Sequence, residues 1–468
     1  MKDIATLARQ FLHTKPEDLT DRERRVLERF VERRRISRNV GKMLDKDMSF
    51  GDRLADGDAG IFGGVVKIDV QVALGAQIYV DQAVARELLQ HVIEKADAGF
   101  HIVNPGAVEI DLRHDAGFLG QALDAPAPER HVVPTADGWK VALTRYQGGA
   151  KGPVLLAPGF SVKALSFATD TVARNLVEEL CAADYDVWLF DYRASADSGN
   201  PLDPPEPFTI DDIAQHDWPA AVDFVRARTG AESVQAMAHC VGSMSLLMAL
   251  AAGHVSGIRS VVSSQLTLHP VTDWMNYLKA DIGTAKLMGQ VAQLGGHIGF
   301  APTGTELDYE IDAVAYNLPV PEGQECKNPA CRRVFGIFGP SYDHAQLGHA
   351  THVAIASMFS DISLKPFDQL SAIMHEGKVV DAAGKDVYLG TENVHRMALP
   401  ITFLSGANNQ IFYPEGAQRT RAWLAAYNDP ALYEQIVIPD YAHMDLFIGR
   451  DAARDVAPII VGELDRFN

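Results

Sequence analysis

The chain has 468 residues, of which 47% are hydrophobic and 22% charged, with a formal net charge of −19. This composition is typical of a globular protein, and the length suffices for one large domain and a smaller one. The negative charge argues against a nucleic-acid-binding protein, because such proteins present Lys and Arg to phosphate groups.

The sequence also lacks the usual signals for membranes and for disulfides. The start, MKDIATLARQFLHTK, has no long apolar core of the kind found in signal peptides. No apolar run reaches the roughly 20 residues that span a bilayer. The four cysteines are too few for a disulfide framework. We therefore expect a soluble, cytoplasmic protein.

The first 127 residues form a region without recognisable chemistry. A basic helix is predicted over residues 20–36, with Thr20 or Asp21 as its N-cap and one apolar stripe. A docked, solvated helix is the simplest interpretation. The alternative is a surface for a partner, a second copy of the chain, an anionic lipid or a phosphate-bearing substrate. The pieces LTDRERRVLERFVERRRISRNV and FGDRLADGDAGIFGG resemble a bacterial family of small predicted membrane proteins of unknown function.

Residues 128–468 have the pattern of an α/β domain. HVVPTADGWKVALTRY predicts a hairpin, and short apolar runs then alternate with helices such as 171–183 and 213–228. This alternation predicts a mostly parallel sheet with helices on both faces and with ligands at the carboxyl ends of the strands. The regularity stops between about 268 and 397, where we expect a helical cap insertion over the site.

The segment Ala238-His239-Cys240-Val241-Gly242 predicts the nucleophile. It lies between a strand and a helix, which is the context of a nucleophile elbow, and small residues occupy the two positions that the sharp turn requires. The helix N-terminus favours negative charge and should lower the thiol pKa of Cys240. A buried structural cysteine is the alternative.

Backbone donors for an oxyanion are expected from two places. The loop APGFS follows the strand PVLLA, where folds of this kind carry an oxyanion hole. The N–H groups of Phe160 and Val241 would then converge on the developing charge. A plain turn at the end of the strand is the alternative.

His443, in the loop after the last predicted strand, is the predicted general base. The usual acid of a triad falls at Asn409. A Cys–His pair that rests as thiolate and imidazolium needs its third member only to orient the imidazole. Asn409 can fill that position, which predicts a Cys-His-Asn site. Glu415 or Asp445 could instead supply a carboxylate.

Several segments together resemble the α/β-hydrolase domain that is attached to bacterial flavin-dependent cholesterol-oxidase-like (GMC) proteins. They are AHCVGSMSLLMALAAG, ECKNPACRR, SYDHAQLGHATH, GKVVDAAGKDVYL, PITFLSGANN and YAHMDLFIGRDAARDV. The resemblance implies that Cys at the elbow and Asn at the acid position belong to this branch. ADYDVWLFDYR, IAQHDWPAAVDFV and AHMDLFIG resemble acid lipases, which implies a lipid-like acyl substrate, although lipases use Ser as nucleophile. Polyhydroxyalkanoate synthases also have a Cys elbow.

No cofactor is predicted, since no Gly-rich dinucleotide fingerprint follows a strand. No metal site is predicted either. Cys326 and Cys331 could be a metal pair, a disulfide or neither, with His344, His349 and His352 nearby in sequence, and ordinary packing in the cap is the default.

The sequence therefore predicts an acyl-transfer enzyme, a hydrolase or an acyltransferase, that acts on a hydrophobic acyl or sterol-type substrate. Two alternatives stay open. One is a non-catalytic binding or scaffold protein on a degenerate hydrolase fold. The other is an acyltransferase like polyhydroxyalkanoate synthase.

Overall fold

The computed structural model describes residues 123–200, 207–273, 276, 300, 312, 315, 320, 324, 326, 328–360 and 365–468. The predicted helix over 20–36 and nearly all of the N-terminal region lie outside the described residues. Among the described helices, none combines the length and the apolar character that a bilayer crossing requires.

An eight-stranded sheet organises the fold, with the strand order β1-β2-β4-β3-β5-β6-β7-β8. The first two strands form an antiparallel hairpin, β2 pairs antiparallel with β4, and all remaining pairs are parallel. The strands are β1 Pro128–Pro134, β2 Lys140–Tyr146, β3 Pro153–Ala157, β4 Asp186–Asp191, β5 Val234–His239, β6 Ile258–Ser264, β7 Ile401–Gly406 and β8 Tyr433–Ile438.

Helices connect the parallel strands and cover the sheet. They are α1 Leu176–Ala182, α2 Trp218–Thr229, α3 Val241–Ala252, α4 Pro329–Phe338, α5 His349–Ala354, α6 Lys365–Glu376, α7 Thr391–His395, α8 Pro414–Ala425, α9 Asp445–Ile448, α10 Ala452–Asp455 and α11 Ala457–Asp465. A short helix Ile210–Asp212 and a π-helix Ile213–Asp217 lead into α2. Nearly every residue of α3 is buried, as expected for a helix that is apolar on all sides.

The predicted hairpin is present as β1 and β2, and the predicted parallel sheet is formed by β3 to β8. The helix predicted over 171–183 begins later, at Leu176, because Asn175 caps it: Asn175 accepts a hydrogen bond from the backbone of Glu178, and the Glu178 side chain accepts one from Asn175. This reciprocal capping box fixes the helix start. The helix predicted over 213–228 begins three residues earlier, at Ile210, where Thr209 and Asp212 form a second capping box.

The segment between β6 and β7 carries α4 to α7 in its described parts. This β6–β7 segment, residues 265–400, covers the predicted cap insertion. It contacts the loops that follow β3 and β8 through backbone hydrogen bonds, including one from Lys163 N to Met358 O (2.9 Å) and one from Met444 N to Ser341 O (2.7 Å).

Candidate active site

Cys240 lies on a sharp turn between β5 and α3, with φ 53° and ψ −126°. A non-glycine residue with positive φ stores strain, and such residues concentrate at functional sites. The turn is held by the hydrogen bond from Cys240 N to Ser264 O (2.9 Å). The residue as a whole is half-buried.

The small neighbour that the elbow requires is Gly242. A Cβ atom there would lie 2.4 Å from the carbonyl oxygen of Pro158. A larger residue at this position would therefore conflict with the backbone of the loop after β3. Ala238 is fully buried in β5.

The loop after β3, residues 158–162, lies directly against the cysteine. A Cβ atom at Gly159 would be 3.2 Å from the Cβ atom of Cys240. Tyr192, at the end of β4, donates a hydrogen bond to Pro158 O (3.1 Å). The backbone N–H groups of Phe160 and Val241 both lie near enough to the Cys240 sulfur to favour its thiolate and so to lower its pKa. Their role as oxyanion donors stays a prediction.

The same loop is joined to the β6–β7 segment. Ser161 has φ 54°, and its carbonyl accepts a hydrogen bond from Ser360 N (2.7 Å). A β-bridge pairs Val162 with Phe359. The backbone that positions Phe160 is therefore fixed partly by residues more than 190 positions later in the chain.

His443 lies in the loop after β8 and is buried. Its ring packs on His239, the residue before the nucleophile, with 4.6 Å between ring centroids, and on Phe412 at 6.1 Å. Within the described chain, its Nδ1 has no hydrogen-bond partner. The predicted base thus lies beside the elbow.

Burial favours the neutral form of both the Cys240 thiol and the His443 imidazole. Burial raises the pKa of the Cys240 thiol to about 12, although the N–H groups of Val241 and Phe160 oppose this shift. Burial also lowers the pKa of His443 to about 3. The expectation of a lowered thiol pKa is wrong here, because loss of solvation outweighs two backbone donors.

Asn409 is buried near the His443 loop, but its side chain is engaged elsewhere. Its Oδ1 accepts hydrogen bonds from Ile411 N (3.0 Å) and Phe412 N (3.2 Å), and its Nδ2 donates to Gln265 Oε1 (2.7 Å). The structure brings Asn409 to the His443 loop and not into hydrogen bonding with the ring.

Gln265 is a site residue that the sequence reasoning missed. It follows β6, has φ 74° and is buried. Its Nε2 donates to the carbonyls of Ala442 (2.8 Å) and His443 (3.0 Å), while its Oε1 accepts from Gly406 N (3.3 Å) as well as from Asn409. The available signal was a polar residue directly after a buried parallel strand.

The two alternative carboxylates have different surroundings. Glu415 is exposed and forms an ion pair with Arg419, so it belongs to the surface of α8. Asp445 is buried and accepts hydrogen bonds from Ala442 N (2.9 Å) and Asp343 N (3.2 Å). Burial raises its pKa to about 7. Asp445 therefore supports the backbone of the His443 loop.

Five phenylalanines line the region next to the loop after β3. Phe160 packs edge-on against Phe367 at 5.2 Å, and Phe338 stacks on Phe367 at 6.0 Å. Phe300 and Phe359 extend the contacts. This cluster, called here the aromatic wall, consists of Phe160 and four residues of the β6–β7 segment, two of which (Phe338 and Phe367) are only half-buried.

A sequence match agrees with the fold described above, which has this sheet order, a strained turn after β5 and a histidine after β8. Residues 152–291 match the family described as the alpha/beta hydrolase fold. The chain has the α/β-hydrolase fold.

Curated relatives of this hydrolase domain match over part of their length. Bovine (Bos taurus) gastric triacylglycerol lipase is 30% identical over 129 residues, 25% of this chain and 32% of that protein. Human (Homo sapiens) lysosomal acid lipase/cholesteryl ester hydrolase is 29% identical over 129 residues, again 25% of this chain and 32% of that protein. The chain thus spans about a third of these relatives. A soluble variant of monoglyceride lipase from Saccharomyces cerevisiae, solved with a substrate analogue, has a TM-score of 0.46 at 14% identity, covering 74% of this chain and 98% of that one.

Proposed function

We propose that this protein is an acyl-transfer enzyme with Cys240 as nucleophile and His443 as general base. One observation carries the proposal: Cys240 lies on a strained turn with two backbone N–H groups near its sulfur, and the residue before it packs on the buried ring of His443. A structural cysteine gains nothing from a strained backbone or from convergent donors, whereas a nucleophile needs both.

The reaction begins from neutral partners. The Cys240 sulfur attacks the carbonyl carbon of the acyl substrate while its proton passes to His443. The carbonyl electrons move to oxygen, and the N–H groups of Phe160 and Val241 stabilise that oxyanion. Collapse breaks the bond to the leaving group, which takes the proton from His443 and leaves a thioester on Cys240. Water completes hydrolysis, and an alcohol acceptor gives a new ester.

The hydrogen bonds that position His443 are made to the backbone of its loop. Gln265 holds the carbonyl of His443, and Asn409 holds Gln265. Asn409 is thus proposed as a positioning residue that acts through Gln265. Asp445 fixes the other side of the loop through Ala442 N.

A hydrophobic acyl chain is the proposed substrate. The aromatic wall begins at Phe160, whose backbone is an oxyanion donor, so an acyl chain bound at the thiol would lie against apolar rings. The names of the matched lipases, one of them also a cholesteryl ester hydrolase, point to the same class, sterol esters included.

The test compares Cys240→Ala and His443→Ala with Cys181→Ala on p-nitrophenyl esters and acyl thioesters of increasing chain length. We expect both site variants to lose at least about 10³-fold in kcat/KM and the control to keep its activity. Mass spectrometry with a slow substrate should find the acyl group on Cys240. Full activity in Cys240→Ala would refute the mechanism.

A binding or scaffold protein is the second candidate. Two observations favour it: the Nδ1 of His443 has no hydrogen-bond partner among the residues that the structure describes, and the thiol pKa of Cys240 is raised. An active triad usually orients its imidazole through that nitrogen. This candidate predicts that wild type and Cys240→Ala bind hydrophobic acyl ligands equally and that neither turns them over.

A further inference from the structure

Four potential metal ligands meet in the β6–β7 segment, away from Cys240. They are Cys326, Cys331 near the start of α4, His344 and His352 on α5. One ligand atom from each lies within 4.8 Å of every other. Both cysteines are free, so no disulfide joins them. His349, which the sequence also suggested, is not part of this group.

The spacing is close to that of a tetrahedral site. Zinc bonds of about 2.3 Å to sulfur and 2.0–2.1 Å to nitrogen place neighbouring ligand atoms roughly 3.4–3.8 Å apart. Cys326 Sγ lies 3.1 Å from His352 Nε2. An ion at the centre therefore requires shifts of about 1 Å or less in each ligand.

Neighbouring groups orient the ligand atoms inward. His344 Nδ1 lies 2.9 Å from Gln324 Oε1, and because an amide oxygen only accepts, Nδ1 donates and Nε2 keeps its lone pair. That Nε2 is buried and has no hydrogen-bond partner among the described residues. Asn328 N donates to Cys326 Sγ (3.3 Å), and Asn328 Nδ2 donates to His352 O (3.0 Å). Such outer contacts commonly fix ligands in protein metal sites.

We propose that Cys326, Cys331, His344 and His352 bind one zinc ion as a structural site. Two thiolates and two imidazoles form a closed tetrahedral set, which suits Zn²⁺ better than a hard cation such as Mg²⁺ or Ca²⁺. All four positions are taken by protein, so the ion supports structure and is not itself a catalyst. On this proposal Cys326 and Cys331 are metal ligands, whereas the sequence predicted ordinary packing in the cap for both.

The proposed ion would stabilise the loop that carries His443. Residues 341–347 contact that loop and the following helix α9 with its C-terminal turn through three hydrogen bonds: Met444 N to Ser341 O (2.7 Å), Asp343 N to Asp445 Oδ2 (3.2 Å) and Arg450 N to Gln346 O (2.7 Å). His344 lies within this stretch. Loss of the metal should therefore loosen the loop that positions His443 as general base, a consequence that rests on the proposed function.

The experiment measures metal in the full-length chain, purified under reducing conditions, incubated with zinc and desalted. We expect about one zinc per chain by mass spectrometry of the elements. Cys331→Ser and His352→Asn should lose it. Cys181→Ser and His349→Asn, which change the same residue types outside the cluster, should retain it.

Cobalt substitution of the wild type tests the ligand set without any variant, in case the variants do not fold. Cysteine-bound Co²⁺ in a tetrahedral site gives intense thiolate charge-transfer and visible d–d absorption, which we expect and which zinc should abolish. Wild type that retains no zinc, or cluster variants that retain as much as the controls, would overturn the proposal. Zinc binding is read without substrate, so an inactive protein with one zinc overturns only the proposed function.

Discussion

Alkylation of Cys240 distinguishes a neutral thiol from a resting thiolate. With its pKa at about 12, the thiol has a thiolate fraction of about 10⁻⁵ at pH 7, compared with about 3 × 10⁻² for an ordinary cysteine. The greater nucleophilicity of a more basic thiolate recovers roughly 40-fold of this difference. We therefore expect alkylation at pH 7 to be roughly 10²-fold slower than that of a model peptide thiol.

The assay follows iodoacetamide labelling of Cys240 by peptide mass spectrometry between pH 6 and 10. The rate should rise about tenfold per pH unit throughout this range, because the thiolate fraction does so below the pKa. His443→Ala should change the rate little, since a neutral imidazole stabilises no thiolate.

One result would refute this reasoning. Rapid labelling at pH 6 that His443→Ala abolishes would show a resting thiolate–imidazolium pair. The backbone donors and the helix N-terminus would then outweigh desolvation at Cys240, contrary to the direction that burial imposes.

Three further predictions concern the backbone around the site. Gly242→Ala places a Cβ atom 2.4 Å from Pro158 O and should cost about 1–3 kcal/mol in thermal unfolding and most of the activity in esterase assays. Gly462→Ala, at an exposed position of α11 with nothing within 4 Å of the added Cβ, should keep the activity and raise stability by up to about 1 kcal/mol. Gln265→Leu leaves four buried hydrogen-bonding groups unpaired and should cost about 3–5 kcal/mol in urea unfolding; a cost below about 1 kcal/mol would contradict its proposed role. Burial raises the folded-state pKa of Asp445 to about 7, so its contribution makes stability fall as pH rises from about 4 to 7, by up to about 1.4 kcal/mol per pH unit. Asp445→Asn should reduce that slope, and an equal slope in both proteins would contradict the assignment.

The sheet could be predicted because each parallel strand is a short apolar run that ends in a polar or glycine position. The nucleophile elbow could be predicted equally well, since Ala238, Cys240 and Gly242 lie close together in the sequence and the turn is a local structure. Helix starts were less accurate, because they depend on single capping side chains such as Asn175.

The surroundings of His443 could not be predicted from sequence. Whether an imidazole or a thiol is desolvated depends on contacts between distant segments, as does the position of Gln265 between three loops. The order of residues suggested Asn409 as the partner of His443, while the fold directs its amide toward Gln265. The fold also places His352, and not His349, beside Cys326 and Cys331.

The backbone link between the loop after β3 and residues 358–360 joins Phe160, a predicted oxyanion donor, to a separate part of the chain. Any substitution that shifts residues 358–360 would also shift the bonds to Ser161 and Lys163 at the end of that loop. The geometry at the thiol is therefore sensitive to changes in a segment that supplies none of the proposed reacting groups.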